Sequence, residues 1–546
     1  MSNKIFLTTD ETNFLNPKAG FFIPGFIPSI PRNGIPRVAR YTLERYLFYQ
    51  IPHKEGEIYH CSYGLRKIES ILSNAGLNCK VYSPQVIENY ADDAAVFGVY
   101  SMDPLGIGPV TATLQGLFGH RLYNIYGNTK YFEPPYTFLK FQELIKKLKC
   151  FNKPIIVGGP GSCQFDMLPN VIDELGIDCV VIGDGEVEAP KIFRKILNKE
   201  KLPKVIHCQK LPNEVKIPLV KKPVSWGLVE ISRGCDRSCK FCDPTLKRFR
   251  WMPVSHIIEE AKINLQIGSE ICFMSEDVFR YGTNKRQWVP NWGLVNLVRE
   301  IKKLPGLKSI ALSHACLASA LAAPEQIKAL SEELNLSKEN YSSVQPGIET
   351  GATHLIKKFM PFKAAPFDPE QWHDVVVDAW KLLTKNYIYP AATLMIGLNE
   401  SEEEIQETIS LMKRITKYPG MFWPLYFSSL GSLKERHRFF VDWSQMSPST
   451  QELYILAIKY MLKQAEKMHP HIFGTSLLAK TFNHISAVIG RTFIDRIESD
   501  EYIKGKNELR KFFKFFVNNL IHYTSDHLKL TLKGYNTEFH GKIKTE

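Results

Sequence analysis

Long apolar runs are missing from this chain. No stretch of about 18 consecutive apolar residues occurs in its 546 residues, so no transmembrane helix and no membrane partner are expected. Residues 1–10 have neither a long apolar core nor a small-residue cleavage site, so no secretory signal is expected and a reducing cytoplasm is the default compartment. A disulfide framework is missing too. The cysteines number eleven, an odd count, and Cys61, Cys79, Cys150, Cys163, Cys179, Cys208, Cys272 and Cys316 stand singly. Basic runs are also absent. The net charge is +13, but lysine is interleaved with glutamate and aspartate nearly everywhere, so a nucleic-acid partner is not expected. Neither an internal repeat nor a low-complexity tract occurs. What remains is an ordinary globular composition, 44% hydrophobic and 23% charged, which excludes a mostly disordered chain. The length implies several domains.

The pattern divides the chain into five parts. Residues 1–55 form an N-terminal arm in which Pro17, Pro24, Pro28, Pro31 and Pro36 sit among Phe21, Phe22, Ile23, Phe26 and Ile27; proline this dense forbids a regular helix, and the apolar side chains predict a packed loop. Residues 56–208 alternate short apolar runs, at 79–82, 94–100, 154–158 and 179–183, with helical patterns. Buried strands alternating with helices predict an α/β, doubly wound parallel sheet whose ligand lies beyond the strands' carboxyl ends. Residues 209–226, with Pro212, Pro218 and Pro223, read as a linker. Residues 227–428 alternate again, with strand candidates at 227–232, 270–275, 308–313, 341–346, 390–396 and 421–428. These units predict a parallel barrel or partial barrel. Residues 429–546 lose the strand signal and read as a helical cap or substrate region.

The strongest motif follows the first strand of the second region: Gly234-Cys235-Asp236-Arg237-Ser238-Cys239-Lys240-Phe241-Cys242. Three thiolates on one loop can hold three irons of a 4Fe–4S cluster and leave the fourth iron open to a small chelating ligand. Structural zinc sites use cysteine pairs that come in twos, and no second pair exists here.

This CxxxCxxC triad, with an aromatic just before its third cysteine and at the head of a strand–helix series, resembles the radical S-adenosylmethionine (SAM) superfamily. The resemblance implies that Cys235, Cys239 and Cys242 hold the cluster. SAM would bind the open iron and, on reduction, split to methionine and a 5′-deoxyadenosyl radical. It also implies SAM contacts from Phe241; from Glu276 in Met274-Ser275-Glu276-Asp277, which lacks the family's glycines; from Gln345 and Glu349 in Gln345-Pro346-Gly347-Ile348-Glu349-Thr350-Gly351; and from Gly397.

Two glycine-rich turns lie in the first region, Gly158-Gly159-Pro160-Gly161 and Gly183-Asp184-Gly185-Glu186. A dinucleotide site fails because Glu188 stands where a third glycine belongs and the turn comes late in the domain. No Walker A lysine pattern occurs. A β/α sheet of this size directly before a radical SAM region resembles the Rossmann-like cobalamin-binding domain of class B radical SAM enzymes. The third contributing loop would be Ser101-Met102-Asp103-Pro104-Leu105-Gly106-Ile107-Gly108. The Asp-x-His-x-x-Gly signature of proteins that place a histidine under cobalt is absent, so the lower ligand of cobalt is left open.

The two resemblances together imply a cobalamin-dependent radical SAM C-methyltransferase. It would methylate an unactivated sp3 carbon with two SAM molecules per turnover, carry the methyl group on methylcobalamin, and draw on an external low-potential electron donor. The expected partner is a protein or peptide, with a small molecule as the alternative substrate. The apolar, Pro-rich arm and Lys-rich composition resemble archaeal enzymes that C-methylate a glutamine in methyl-coenzyme M reductase. A cobalamin-dependent cyclisation or rearrangement, and a cluster-bearing electron-transfer or binding protein, are the competing readings. Two features further along are weaker: His469 and His471 as a metal pair, and the alternation of lysine and phenylalanine over 511–516, which reads first as a packed helix face.

Overall fold

The computed structural model describes residues 3–14, 27–32, 40, 44–45, 48–117, 134–212, 216–242, 247–428 and 446–465. Most of the Pro-rich arm, His469, His471 and residues 511–516 lie outside the described residues. So does the 429–546 region, apart from 446–465.

The first sheet has six parallel strands: β1 (Lys4–Thr9), β2 (Cys79–Val81), β3 (Ala94–Tyr100), β4 (Ile155–Gly158), β5 (Cys179–Ile182) and β6 (Val205–His207). Their order is β2-β1-β3-β4-β5-β6. Helices α1 (Tyr63–Asn74), α2 (Pro109–Leu117), α3 (Tyr136–Lys149), α4 (Asn170–Leu175) and α5 (Glu188–Leu197) connect the strands. Two buried clusters cover the sheet's faces. One is built on Phe6, Phe97, Val157 and Phe141, the other on Ile5, Leu7, Val96 and Phe193. This alternation of neighbours along one strand is what a pleat buried on both sides requires. The strand order reverses between β1 and β3, so the sheet's topological switch point lies between the loops after Thr9 and Tyr100.

β1 is not among the strands the sequence pattern predicts. It is six residues long and is followed by the proline-dense segment, yet Ile5, Phe6, Leu7, Thr8 and Thr9 are all buried between β2 and β3.

The second region also forms parallel strands in chain order. β7 (Leu228–Glu230), β8 (Glu270–Met274) and β9 (Ser309–Leu312) make one sheet. β10 (His314–Ala315), β11 (Ser342–Glu349), β12 (Ile388–Ile396) and β13 (Met421–Tyr426) make the other. Ser313 joins them: its N–H donates to the Phe273 carbonyl at 3.2 Å, and its own carbonyl accepts from the Gln345 N–H at 3.0 Å. Helices α6 (Val254–Asn264), α7 (Gly293–Ile301), α8 (Leu317–Ala322), α9 (Pro324–Glu333), α10 (Thr353–Phe359), α11 (Trp372–Lys385) and α12 (Glu402–Ile415) alternate with the strands, and α13 (Pro448–Ala465) follows. α12 shows how local sequence sets an end. Ser401 and Glu404 form a reciprocal capping box, acidic Glu402–Glu404 occupy the first turn, and Lys413 and Arg414 the last. Among the described residues, no helix is long and apolar enough to cross a membrane.

The two regions share a buried polar seam. The Lys67 ammonium of α1 donates to Glu260 of α6 at 2.5 Å, and the Tyr63 hydroxyl donates to Glu260 at 3.0 Å and to Glu230 of β7 at 3.3 Å. Arg233 then grips Glu230 with two bonds, at 2.7 and 2.8 Å, and also pairs with Glu186 in the loop after β5. At the far end, the Tyr426 N–H of β13 donates to the Thr113 hydroxyl of α2 at 2.8 Å. Loops at the carboxyl ends of the two sets of strands therefore meet.

Candidate active site

The cysteine loop begins where β7 ends. Ser232–Arg233 pairs antiparallel with Arg250–Trp251, which closes the base of the loop. Gly234 makes the entry turn at φ +75°, and a Cβ there would stand 2.7 Å from the Arg248 carbonyl oxygen, so only glycine fits.

Inside the loop, the two residues after Cys235 act as anchors. The Asp236 carboxylate accepts from Arg280 at 2.6 and 3.1 Å, with both side chains about 1% exposed. Burial alone would raise the Asp236 pKa; the Arg280 and Arg286 bonds outweigh it and hold it below the usual range. Arg237 is buried and donates to the carbonyls of Phe362, Lys363 and Ala365, to Ser319 and to Asp277. Trp288 lies under both guanidinium groups, at 5.2 Å from Arg237 and 4.7 Å from Arg280. The Lys240 N–H donates to the Phe359 carbonyl at 2.9 Å. Phe241 packs edge-on against Phe427, just past β13, with ring centroids 6.5 Å apart.

Cys239 is buried, and Cys235 and Cys242 are half-buried. Burial pushes the Cys235 thiol up to about 12 and raises Cys239 and Cys242 as well; the thiols also raise one another, Cys239 acting on Cys235 and both acting on Cys242. Among the described residues, no three His, Cys, Asp or Glu side chains converge on a common point as metal ligands do, and residues 243–246 directly after the triad are not described. The donor chemistry nonetheless fits an iron–sulfur cluster: three thiols share one anchored loop, Cys235 and Cys242 both feeling the charge of Cys239, with buried Arg237 and Lys363 alongside. A fourth cysteine lies near the triad: Cys316, buried at the start of α8, donates through Sγ to the Lys363 carbonyl at 3.5 Å and raises the Cys239 thiol.

Of the residues expected around SAM, Glu276, Glu349 and Gly397 stand at or just past the carboxyl ends of β8, β11 and β12, and Gln345 lies within β11. Glu276 follows β8 and is exposed; desolvation by neighbouring protein nevertheless raises its carboxyl, against the charges of His314 and Lys247. Gln345 lies in register with His314 on the neighbouring strand. Glu349 sits at φ +67° beside a register shift and accepts from Lys363 at 3.3 Å. Gly347 makes room for that pair, since a Cβ there would collide with the Glu349 carboxylate. Gly397 turns at φ +102°, and its N–H donates to Glu400 at 2.7 Å.

The expected cobalamin loops do reach the carboxyl edge of the first sheet, but most of their predicted residues are used internally. Asp103 accepts from the Ile107 and Gly108 N–H groups, Thr111, Thr137 and Gln164, so it is the hub of its own loop. Pro104 lies against Gly161, and the Leu105 N–H donates to Gln164. Gly106 turns at φ +66°, with Pro135 against the position of a Cβ. A Cβ at Gly159 would stand 2.7 Å from the Ser101 carbonyl, and one at Gly161 would strike Pro104 and Met102. These glycines thus let two loops of the chain approach each other. Gly183 backs onto Cys208, Gly185 faces Ile68, and Glu186 pairs with Arg233. Pro160 begins a short 3-10 turn. Of the predicted residues, Met102, 52% exposed, Pro160 and Gly183 face solvent, and Gly158 is half-buried, with the Val181 carbonyl 3.8 Å from the position of a Cβ.

Sequence reasoning missed the anchors Arg280, Asp277, Lys363 and Cys316. It also missed Asp10 at the switch point, a buried carboxylate that accepts from the Thr12 N–H at 3.0 Å and from Ser101 at 3.3 Å.

Comparison with known proteins agrees with this geometry. Residues 229–412 match the model of the Radical SAM superfamily, and a domain of that superfamily implies a 4Fe–4S cluster and SAM. The chain is 25% identical over 193 residues to a ribosomal protein uS12 methylthiotransferase of Aquifex aeolicus, which covers 35% of this chain and 41% of that protein. It is 25% identical over 293 residues to a tRNA-2-methylthio-N(6)-dimethylallyladenosine synthase of Natranaerobius thermophilus, covering 52% and 60%. It is 22% identical over 372 residues to an uncharacterized methyltransferase of Pyrococcus horikoshii, covering 61% and 70%. The chain thus spans about two fifths of the length of the first of these relatives.

Proposed function

We propose that this chain is a cobalamin-dependent radical SAM C-methyltransferase acting on an unactivated sp3 carbon of a protein or peptide. The observation that carries the reading is the anchored cysteine triad after β7, within the matched radical SAM domain and facing the carboxyl edge of a six-stranded parallel sheet. Chain-order strands joined through Ser313 support a partial (β/α)6 barrel, and the first sheet supports a Rossmann-like cofactor domain.

In this reading Cys235, Cys239 and Cys242 hold the cluster, which supplies the electron that splits SAM. Asp236 and Arg237 keep the loop in place before any cofactor arrives. Phe241, Glu276, Gln345, Glu349 and Gly397 ring the SAM position. Cobalamin, which would carry the methyl group, would be held at the carboxyl edge of the first sheet, where Met102, Pro160 and Gly183 are exposed. A glutamine in methyl-coenzyme M reductase is the specific substrate candidate.

Methylthio transfer is a second reading, favoured by the named activities of two relatives. It requires a sulfur donor as well as a carbon radical, and the eight cysteines outside the triad are scattered singly in the sequence.

Anaerobic turnover with SAM carrying a labelled methyl group separates these readings. C-methylation yields 5′-deoxyadenosine and S-adenosylhomocysteine together and a product 14 Da heavier, only when cobalamin is present. A product heavier by a methylthio group would establish the second reading. Cys235→Ala, Cys239→Ala or Cys242→Ala should each abolish SAM cleavage, whereas Cys79→Ala should leave it intact.

A further inference from the structure

The cysteine loop is gripped from below by one segment of chain that sequence patterns do not mark. Residues 359–365 give it four backbone carbonyls: Phe359 accepts from the Lys240 N–H, and Phe362, Lys363 and Ala365 accept from Arg237 at 2.7, 3.1 and 3.1 Å. The Lys363 carbonyl also accepts from Cys316. In the middle of this cradle Lys363 turns its own side chain inward. The residue is 9% exposed, and among the described residues its ammonium pairs with the Glu349 carboxylate at 3.3 Å. Glu349 reaches it from a left-handed backbone position, across the space that Gly347 leaves empty.

A lysine in this place is costly. Its methylenes could be matched in volume by methionine, which needs no counter-ion, whereas a buried ammonium must recover its lost hydration from nearby anions. One carboxylate at 3.3 Å is a thin return unless a second negative group lies close. Three thiolates carrying an iron–sulfur cluster are such a group. Their net charge is negative and grows by one unit when the cluster takes up an electron, so a fixed cation in a low-dielectric setting favours the reduced form.

We propose that Lys363 is a positioning residue that sets the electron affinity of the cluster held by Cys235, Cys239 and Cys242, its ammonium fixed beside the loop by Glu349 and the 359–365 cradle. This rests on the cluster reading of the site. Burial works against the charge of Lys363, but Glu349 and then Cys239 outweigh it and keep the group protonated.

The test uses the full chain, reconstituted anaerobically with iron and sulfide and without SAM. The cluster is titrated with dithionite, one electron per cluster, and followed by electron paramagnetic resonance. Lys363→Met is expected to lower the ratio of reduced to oxidised cluster at least tenfold at a fixed solution potential, a 59 mV shift to more negative values. Lys363→Arg should keep most of the wild-type ratio. Glu349→Gln, which leaves the ammonium without its carboxylate, should move the ratio the other way. A merely structural role would not produce shifts of opposite sign. A loaded Lys363→Met protein with the wild-type ratio would overturn the proposal. If that variant does not load, an unchanged ratio in loaded Glu349→Gln would overturn it equally. A wild-type chain that takes up no iron would instead overturn the cluster reading itself.

Discussion

Asp10 illustrates how much a single side chain can carry. It lies at the switch point of the first sheet, fully enclosed, and burial pushes its carboxyl up from 3.8 to about 6 despite bonds from Thr12 and Ser101. Between those two values the folded protein holds a proton that the unfolded chain has released. Stability therefore falls as pH rises through the window from about 4 to 6, and the cost stays constant above it. Asp10→Asn removes the ionisable group while keeping an acceptor for Thr12. The variant should be more stable than wild type at pH 8, on the order of 2 kcal/mol, and nearly equal to it at pH 4. Thermal unfolding across that range checks this, and a variant no more stable at pH 8 would show that Asp10 is ionised at little cost. The same scale explains what was legible in the sequence. Cys235, Cys239 and Cys242 share one loop, so their spacing alone announces the site. Arg280, Asp277, Lys363 and Cys316 reach that loop from other elements, and no spacing rule encodes a contact made by tertiary packing.

At the scale of elements, the strands were legible wherever an apolar run was long or bounded by glycine, as at Ala94–Tyr100 and Ile155–Gly158. β1 was not, because its apolar core is only Ile5, Phe6 and Leu7, and the prolines that follow mask it. Its burial comes from strands on both sides, which is a property of the sheet and not of the segment. The glycine turns were legible as turns, but their purpose was not. Gly159 has φ +102° and its Cβ direction meets Ser101 backbone, whereas a Cβ at Gly158 would make only an ordinary contact, 3.8 Å from the Val181 carbonyl. Gly159→Ala should therefore destabilise the protein by more than about 2 kcal/mol, while Gly158→Ala stays within about 0.5 kcal/mol. Equal midpoints in thermal melts of the two variants would show that the 101–108 and 158–161 loops do not depend on their close contact. Gly158 is consequently the position to enlarge when cobalamin binding is tested, since a loss at Gly159 could come from the fold.

At the scale of the whole molecule, the sequence reads as two regions joined by a linker over 209–226, and the structure adds a buried polar seam between them. Lys67, Glu260, Tyr63, Glu230, Arg233 and Glu186 form a continuous chain of hydrogen bonds and ion pairs from α1 to the loop after β5. Glu260 is fully buried, and Arg233 stands two residues before Cys235. Charges this enclosed are costly to leave unpaired, so the seam resists separation and ties the cysteine loop to the edge of the first sheet. Glu186→Ala tests the tie from the side remote from the thiols. It leaves Arg233 with Glu230 but frees it from the first sheet, and so loosens the strand end from which the cysteine loop springs. Outer partners of a metal site typically matter by 10–100-fold in metal retention, so a reconstituted Glu186→Ala protein should lose iron to a chelator about tenfold faster than wild type. Its far-ultraviolet circular dichroism should be unchanged, because Glu186 precedes α5 and packs within neither apolar cluster of the first sheet. An unaltered rate of iron loss would mean that the two units are independent after all, and that the contact between Arg233 and Glu186 merely fills the seam.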